Sequence, residues 1–241
     1  MTPRRAAPAI GVLAMAGVAH GIGSIGVLGA VSGRGPARWG PVHLRGPCLD
    51  AIALSFDDGP SAEGTPLVLD RLDQLGLTAT FFVLGRAAAE HRQLVTEIVQ
   101  RGHEVQSHGM EHGHHLLHGP AWIARDLARA RESLGSLGLV PRYFRPPYGQ
   151  AATASLVAAS QAGLRTVLWS AWGREWVDRS PVSVAGRVTS RLTPGAIVLL
   201  HDSDALCGAG SVATVLEALP LVAEALEERG LRSVTVSELI G

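Results

Sequence analysis

From residue 51 onward the chain alternates short apolar runs with longer segments of helical periodicity. The apolar runs have strand length and stop at turn-forming residues; the first, at residues 51–56, ends at "DDGP". In the segment that follows, Thr65 and Pro66 predict a helix start and Gly76 its end. Strands are predicted at residues 51–56, 78–85, 103–107, 142–145, 165–170, 196–200 and 232–236, and helices at residues 65–76, 91–102, 122–138, 154–163, 181–192 and 212–230.

This alternation predicts an α/β fold. Parallel neighbours need crossover connections, so helices would cover a parallel sheet. No Gly-rich dinucleotide or phosphate loop follows a strand, which favours a closed or nearly closed barrel over an open sheet. The prediction is a parallel (β/α) barrel with about seven strands, whose reactive groups lie at the C-terminal ends of the strands.

The first fifty residues follow a different pattern. Residues 6–31 contain no charged side chain except His20 when protonated, and Arg4 and Arg5 precede them. Such a segment can span a bilayer with the arginines in the cytoplasm, or act as a signal peptide with an apolar core at residues 10–18. A third interpretation is a small-residue helix packed on the domain. We divide the chain into an apolar segment at residues 1–34, a Gly- and Pro-rich linker at residues 35–50, and a globular domain at residues 51–241.

The N-terminal interpretations decide the expected location. A signal peptide predicts a secreted protein, and an anchor predicts a protein that associates with the membrane through this segment. A helix packed on the domain is compatible with a cytoplasmic location. The 21 acidic and 21 basic residues balance, so there is no reason to expect nucleic acid as a partner. No protein partner is implied. Cys48 and Cys207 do not form a disulfide framework, and one bridge or two free thiols are both open.

Ionisable residues recur where successive predicted strands end. Taken singly, each has a structural explanation, because "DDGP" is a common turn and a lone histidine is usually a hydrogen-bonded part of the fold. Five such coincidences on one rim favour a functional site. These residues are Asp57 and Asp58 after the first strand, His108 after the third, Arg145 after the fourth, Glu175 after the fifth, and His201 and Asp202 after the sixth.

Six of the ten histidines lie within residues 103–118. His108 and His112 are four residues apart, so a helical turn would place both rings on one face. This spacing suits two ligands of a zinc-type ion, with a carboxylate and a water completing an open site. His115 would share a helical face with either residue, so spacing alone leaves the ligand pair open.

Five segments narrow the choice. "SFDDGP" (55–60), "HGMEH" (108–112), "RPPY" (145–148), "EW" (175–176) and "LLH" (199–201) resemble, in order and spacing, the motifs of the polysaccharide deacetylase family (carbohydrate esterase family 4, the NodB-like deacetylases). The resemblance runs from about residue 51 to the C-terminus. It implies a distorted parallel barrel and the hydrolysis of N- or O-linked acetyl groups on a polysaccharide such as chitin oligomers or peptidoglycan, with amide bonds as the expected target.

The resemblance also implies one divalent metal, zinc first, with cobalt or another transition ion as alternatives. Asp58, His108 and His112 would hold it. Asp57 would be the general base that takes a proton from the metal-bound water, and Arg145 would hold Asp57 in place. A divalent cation supports this chemistry because it polarises a carbonyl and lowers the pKa of water from about 16 toward about 7.

The remaining motif residues would complete the reaction. His201 would be the general acid that protonates the leaving amine, with Glu175 orienting it. The backbone N–H of Tyr148 would stabilise the oxyanion. Trp176 and Leu199 would form the walls of a small pocket for the acetyl methyl group.

Two positions depart from the family pattern. Gly109 stands where the family usually has Ser or Thr, so the metal loop would depend on other contacts. Glu175 stands where the family usually has Asp, and its extra methylene could shift the carboxylate by about an ångström, enough to weaken catalysis if uncompensated. Neither departure removes a ligand or a reacting group, so we expect activity.

Other interpretations remain in view. A metal-independent amidohydrolase on the same fold, acting on a small ureide or formamide, would not need both His108 and His112. A catalytically silent, glycan-binding envelope module predicts damage to Asp57 or His201, and both are intact. A solvated histidine loop that binds metal adventitiously explains the rest of the rim poorly. The sequence does not choose among chitin oligomers, peptidoglycan and acetylated xylan.

Overall fold

The computed structural model describes residues 42–241, which form a curved parallel sheet covered by helices. The strands are β1 (Val42–His43), β2 (Ala51–Asp57), β3 (Ala79–Val83), β4 (Glu104–Ser107), β5 (Tyr143–Phe144), β6 (Arg165–Val167), β7 (Ala171–Trp172), β8 (Ile197–His201) and β9 (Arg232–Ser233). The helices are α1 (Thr65–Leu75), α2 (Gly85–Glu90), α3 (Arg92–Gln100), α4 (Pro120–Gly135), α5 (Thr153–Gln161), α6 (Pro181–Thr189), α7 (Asp204–Cys207), α8 (Ser211–Glu228) and α9 (Val236–Ile240).

The sheet confirms the predicted distorted parallel barrel. Its hydrogen-bonded order is β1-β6-β5-β4-β3-β2-β8-β7, with β9 paired to the start of β2, and these pairings are parallel. The central strands β2 and β8 run side by side, so that Asp57 pairs with His201. The barrel is incomplete, since β1 and β7 form the two ends of this order within residues 42–241.

The alternation within β2 explains how the barrel places its polar residues. Ile52, Leu54 and Phe56 pack in the large cluster shared with the helices. The intervening alanines at 51 and 53 belong to the second cluster, on the other, inner face of the sheet, where Val236 and Leu239 of α9 also pack. Because side chains alternate along a strand, Asp57 continues this inner face where β2 ends. In β8, His201 continues the inner face in the same way.

Two strands were not predicted, and one of them corrects the linker. In the described part of the predicted linker at residues 35–50, Val42 and His43 pair with Thr166 and Val167 of β6. The folded domain therefore includes residues from 42 onward. A two-residue strand has too few positions to show a period, which is why β1 and β7 were missed.

The predicted last strand, at residues 232–236, is also too long. β9 ends at Ser233, and Thr235 then caps α9 through a reciprocal pair of hydrogen bonds with Glu238. This S/T-x-x-E capping pattern is visible in the sequence and outweighs the β-branched composition. The N-terminal segment at residues 1–34 lies outside the described residues. Among the helices described, none is long and apolar enough to cross a membrane.

Candidate active site

A cavity of about 330 Å³ opens where β2 and β8 end. All the predicted site residues except Arg145, Glu175 and Asp202 line it, and those three are buried. The structure therefore brings the predicted set together. The lining residues are Asp57, Asp58, His108, His112, Tyr148, Gly149, Gln150, Trp169, Trp176, Leu199, His201, Leu206 and Cys207.

Asp58 and two histidines form a compact donor set. The Oδ1 atom of Asp58 lies 3.3 Å from Nε2 of both His108 and His112. Nδ1 of His108 donates a hydrogen bond to the carbonyl oxygen of Arg145 at 2.8 Å, which leaves its Nε2 with a free lone pair. Oδ1 of Asp58 is buried without a hydrogen-bond partner in the described chain. Donor atoms around a tetrahedral zinc ion are about 3.3 Å apart, so these residues fit such an ion.

The electrostatics agree with this fit. Burial raises the pKa of Asp58, but His108 and the other neighbouring histidines outweigh burial and hold this pKa below its usual range. Burial lowers the pKa of His112 to about 4. The carboxylate is therefore ionised and the imidazole neutral, the forms that bind metal ions.

The two histidines do not share a helix, contrary to the helical-face prediction. Residues 108–112 form a loop after β4, in which Gly109 has a φ of +90°. The backbone N–H of Gly85 donates to the carbonyl oxygen of Gly109 at 2.8 Å. The loop brings the two imidazole rings to 5.4 Å from each other. The two rings are therefore brought together by the loop and not by helix geometry, and their role as ligands stays a prediction.

Asp126 holds this loop and was missed by the sequence reasoning. Its carboxylate, on the buried face of α4, accepts hydrogen bonds from the backbone N–H of Met110 at 2.9 Å and of Glu111 at 3.0 Å. A Cβ atom at Gly109 would lie 2.7 Å from Oδ2 of Asp126. The carboxylate therefore supplies the loop contacts and leaves no space for the usual Ser or Thr. The available signal was an acidic residue on an apolar helix face, between Ile123 and Leu127.

Asp57 is held by a buried arginine. The guanidinium of Arg145 donates to Oδ1 of Asp57 at 2.6 Å and to the hydroxyl of Ser55 at 2.8 Å. It also lies 4.0 Å from the ring centre of Phe82, a cation–π contact. One oxygen of Asp57 is thus committed to Arg145, and the other, Oδ2, lies 3.9 Å from Nε2 of His108.

His201 is oriented by Glu175. Its Nδ1 donates to Oε1 of Glu175 at 2.7 Å, so the longer side chain reaches the ring. Burial lowers the pKa of His201, but hydrogen bonds with Cys207 and Glu175 and the charge of Glu175 raise it well above its usual value. The ring is therefore held with its Nε2 toward the cavity and in a form that can carry a proton.

Aromatic side chains form much of the cavity wall. The Tyr148 ring lies 4.3 Å from the His112 ring, and the Trp176 ring meets His201 edge-on at 5.2 Å. Trp169 was not predicted; a Cβ atom at Gly149 would lie 2.3 Å from its indole, so the glycine allows close packing there. The signal for Trp169 was an aromatic residue at the end of a predicted strand.

The other clustered histidines lie outside the donor set. Nδ1 of His103 accepts the backbone N–H of Ala79 at 3.3 Å, and His118 stacks on Trp122 at 3.7 Å. His115 is fully buried, with its Nδ1 atom 2.9 Å from the hydroxyl oxygen of Ser155. His114 lies 5.1 Å from the Tyr148 ring, near the site.

Cys207 lies inside the cavity. Its Sγ is 3.7 Å from Oδ2 of Asp58, whereas Sγ of Cys48 is 4.0 Å from the carbonyl oxygen of Glu238. Both cysteines are free, so the bridge left open by the sequence is not formed. The catalytic, substrate-binding and metal-binding roles of the site residues stay predictions.

Comparison with known proteins gives consistent matches. The family described as "Polysaccharide deacetylase" matches residues 46–167. A peptidoglycan-N-acetylglucosamine deacetylase of Bacillus cereus is 35% identical over 192 residues, covering 78% of this chain and 87% of the relative. A chitooligosaccharide deacetylase of Bradyrhizobium sp. is 38% identical, covering 63% and 70%. The crystal structure of the Bc1960 peptidoglycan N-acetylglucosamine deacetylase is similar at a TM-score of 0.78 and 28% identity, covering 85% of this chain and 94% of that one.

Proposed function

The chain belongs to the polysaccharide deacetylase family, and from that premise we propose that it removes the acetyl group from N-acetylglucosamine residues of a glycan in a metal-dependent hydrolysis. Peptidoglycan is the first candidate substrate and chitooligosaccharide the second, as in the names of the relatives. The observation that carries the proposal is the position of Asp58, with Asp57 beside it and His201 across from it, in one cavity.

Asp58, His108 and His112 would hold one divalent ion, zinc first, because their donor spacing fits it. When bound, this ion would polarise the acetamide carbonyl and make the attacking water more acidic. Oxygen and imidazole donors also admit cobalt or another transition ion.

Asp57 would accept the proton of the attacking water. Its Oδ1 atom is committed to Arg145 at 2.6 Å, so the carboxylate cannot swing away and Oδ2 is the atom left to accept the proton. Arg145 is fully buried and also bonded to Ser55 and to the carbonyl oxygen of Leu168, which fixes its position. Preorganised geometry of this kind lowers the barrier because no reorganisation is needed during the reaction.

His201 would give its Nε2 proton to the amine as the C–N bond breaks. An amine is a poor leaving group, so it needs an acid nearby. Glu175 supports this role by fixing Nδ1 and by stabilising the protonated ring. The backbone N–H of Tyr148 would donate to the oxyanion, since this residue lies on the cavity wall with a left-handed φ of +60°.

The cavity size supports a small acyl group. A volume of about 330 Å³ accommodates an acetamide with part of one sugar ring, and Leu199 and Trp176 would contact the methyl group. The same pocket would admit an acetyl ester, so the nature of the bond is decided by assay.

The test is acetate release from peptidoglycan, N-acetylglucosamine oligomers and acetylated xylan. Protein from which a chelator has removed the metal should release no acetate, and one equivalent of Zn²⁺ should restore acetate release. Asp57→Asn should abolish turnover while the metal stays bound, and His108→Ala should lose the metal. Turnover that survives complete metal removal would refute the mechanism. Stoichiometric metal binding without cleavage of any acetylated glycan would favour the silent glycan-binding module instead.

We also propose that the enzyme works outside the cytoplasm, secreted or anchored in the membrane. The support is the run at residues 6–31, which lacks charged side chains apart from His20. Cell fractionation of the full chain and of a chain lacking residues 1–34 tests this proposal; the same cytoplasmic distribution for both would contradict it.

A further inference from the structure

The two oxygens of the Asp58 carboxylate face different sets of donor atoms. Oδ1 faces His108 and His112, as described above. Oδ2 lies 3.7 Å from Sγ of Cys207 and 3.9 Å from Nε2 of His201. Among residues 42–241, the two groups of donors that could hold a metal ion are these two sets, which share Asp58.

We propose that Asp58, His201 and Cys207 form a second metal site, selective for thiophilic divalent ions, whose occupation inhibits the enzyme. The inference rests on the proposed function, because the inhibition requires His201 to be the proton donor. The site would take Zn²⁺ or Cd²⁺ in excess of the first equivalent.

The three donor atoms of this second set lie close enough together to bind one ion. Oδ2, Nε2 and Sγ lie within 4.8 Å of one another, and all three residues are buried. Tetrahedral zinc with N, O and S ligands keeps its donors about 3.3–3.6 Å apart. The separations of Oδ2 from Sγ, 3.7 Å, and from Nε2, 3.9 Å, are close to this range. A carboxylate that uses one oxygen for each of two ions is the usual bridge in sites with ions about 3.5–4 Å apart.

The second ligand is oriented for coordination. Nδ1 of His201 donates to Glu175 at 2.7 Å, and Glu175 is fully buried outside the donor set. A carboxylate behind an imidazole fixes the tautomer whose other nitrogen binds a metal, an arrangement found at most histidine ligands. This arrangement therefore serves metal binding as well as proton donation.

The third ligand is positioned by contacts outside the cavity. The guanidinium of Arg179 donates to the carbonyl oxygens of Cys207 at 2.9 Å and of Gly208 at 3.2 Å. The hydroxyl of Ser211 donates to the Cys207 carbonyl oxygen at 2.9 Å. These bonds hold the end of α7 against the cavity, so the thiol faces Asp58. A thiolate ligand favours zinc and cadmium over magnesium and calcium.

The chemical consequence is a direct block of the proposed acid. When the ion binds, the Cys207 thiol loses its proton to solvent and an S–metal bond forms. Nε2 of His201 also gives up its proton to solvent and binds the ion through the lone pair that this leaves, so this nitrogen can no longer carry the proton for the leaving amine. The first ion, on the other oxygen of Asp58, need not leave.

The test uses the full chain, stripped by a chelator, reloaded with one equivalent of Zn²⁺ and titrated with Cd²⁺. The readouts are the ultraviolet band of a cadmium–thiolate bond and the rate of acetate release. The variant is Cys207→Ser, and Cys48→Ser is the matched control because it removes the other thiol. Wild type and Cys48→Ser should develop the band to one equivalent and lose activity in parallel. Cys207→Ser should develop no such band and should need about tenfold or more metal for half-inhibition of its own single-metal rate.

The wild-type titration stands without any variant, so a folding defect in Cys207→Ser leaves the proposal testable. Absence of the band in wild type, its persistence in Cys207→Ser, or equal inhibition by excess Zn²⁺ in both proteins would overturn the second site. Failure of the proposed function shows separately, as a first equivalent of Zn²⁺ that restores no acetate release while the thiolate band is still measured.

Discussion

Removing the Asp126 carboxylate should loosen the loop that joins the two predicted histidine ligands. The carboxylate is buried and accepts the backbone N–H groups of Met110 and Glu111, which lie between His108 and His112. In Asp126→Ala both N–H groups lose their acceptor. In Asp126→Asn one acceptor oxygen remains, but the amide NH₂ faces the other N–H.

The magnitude follows from these two bonds. A hydrogen bond to a charged group contributes about 1.5–3 kcal/mol net, so two would give about 3–6 kcal/mol. Burial raises the pKa of Asp126 above its usual value, which means that the ionised form is partly destabilised. We therefore expect Asp126→Ala to lower the free energy of unfolding by about 2–3 kcal/mol. Loss of support around a metal ligand typically weakens binding about 10–100-fold.

The assay separates stability from metal binding. Urea unfolding with chelator present measures the free energy of unfolding, and competition with a chromophoric chelator measures the metal Kd. Glu132→Ala, at an exposed position on the same helix, is the control and should change neither. Asp126→Asn should fall between wild type and alanine. A folded Asp126→Ala variant whose metal Kd is within about twofold of wild type would refute the role given to this carboxylate.

Three further predictions follow from single contacts. Gly109→Ser, which restores the family's usual residue type, should lower the free energy of unfolding by about 1–3 kcal/mol. The reason is that φ of residue 109 is +90° and that the Asp126 carboxylate lies where the Cβ atom would be. A variant that is at least as stable as wild type in urea unfolding would contradict this prediction. Glu175→Gln should reduce kcat of acetate release about 10–100-fold with metal content unchanged, because the carboxylate that supports protonated His201 is lost; an unchanged kcat would count against this positioning. Burial lowers the pKa of His103 below 6.5, so its stabilising contribution is complete above pH 6.5 and declines as pH falls below it. His103→Asn keeps an acceptor but does not titrate, so its thermal unfolding midpoint should depend less on pH there than that of wild type; parallel pH profiles would exclude His103 as the cause.

Much of the fold could be predicted because its signals are local. The apolar runs and the helix stop signals identified strands and helices in order, and parallel strands place their carboxyl ends on one rim. The sequence alone therefore predicted that most of the polar residues at the strand ends lie close together on this rim. Local patterns failed where elements were very short, as in β1 and β7, because two residues carry no period.

The spacing of the histidines alone was not enough to predict which of them would bind the metal. Spacing left several histidine pairs possible, and the helical turn invoked for them does not exist. The resemblance to a family selected His108 and His112. Asp126 could not be identified in either way, because its role depends on a hydrogen bond across sixteen residues to the loop that contains the left-handed Gly109.

By itself, the sequence determined the alternation of strands and helices and the collection of polar residues on one rim, because both follow from local periodicity and chain direction. Only the tertiary structure decided which oxygen of Asp58 faces which donors, and that Cys207 meets a carboxylate 149 positions earlier in the chain. Distances of this kind depend on where the fold places α7 relative to the end of β2. The physical reason is that metal and acid–base chemistry require placement within about 0.5 Å, whereas sequence periodicity specifies only the face and the end of an element.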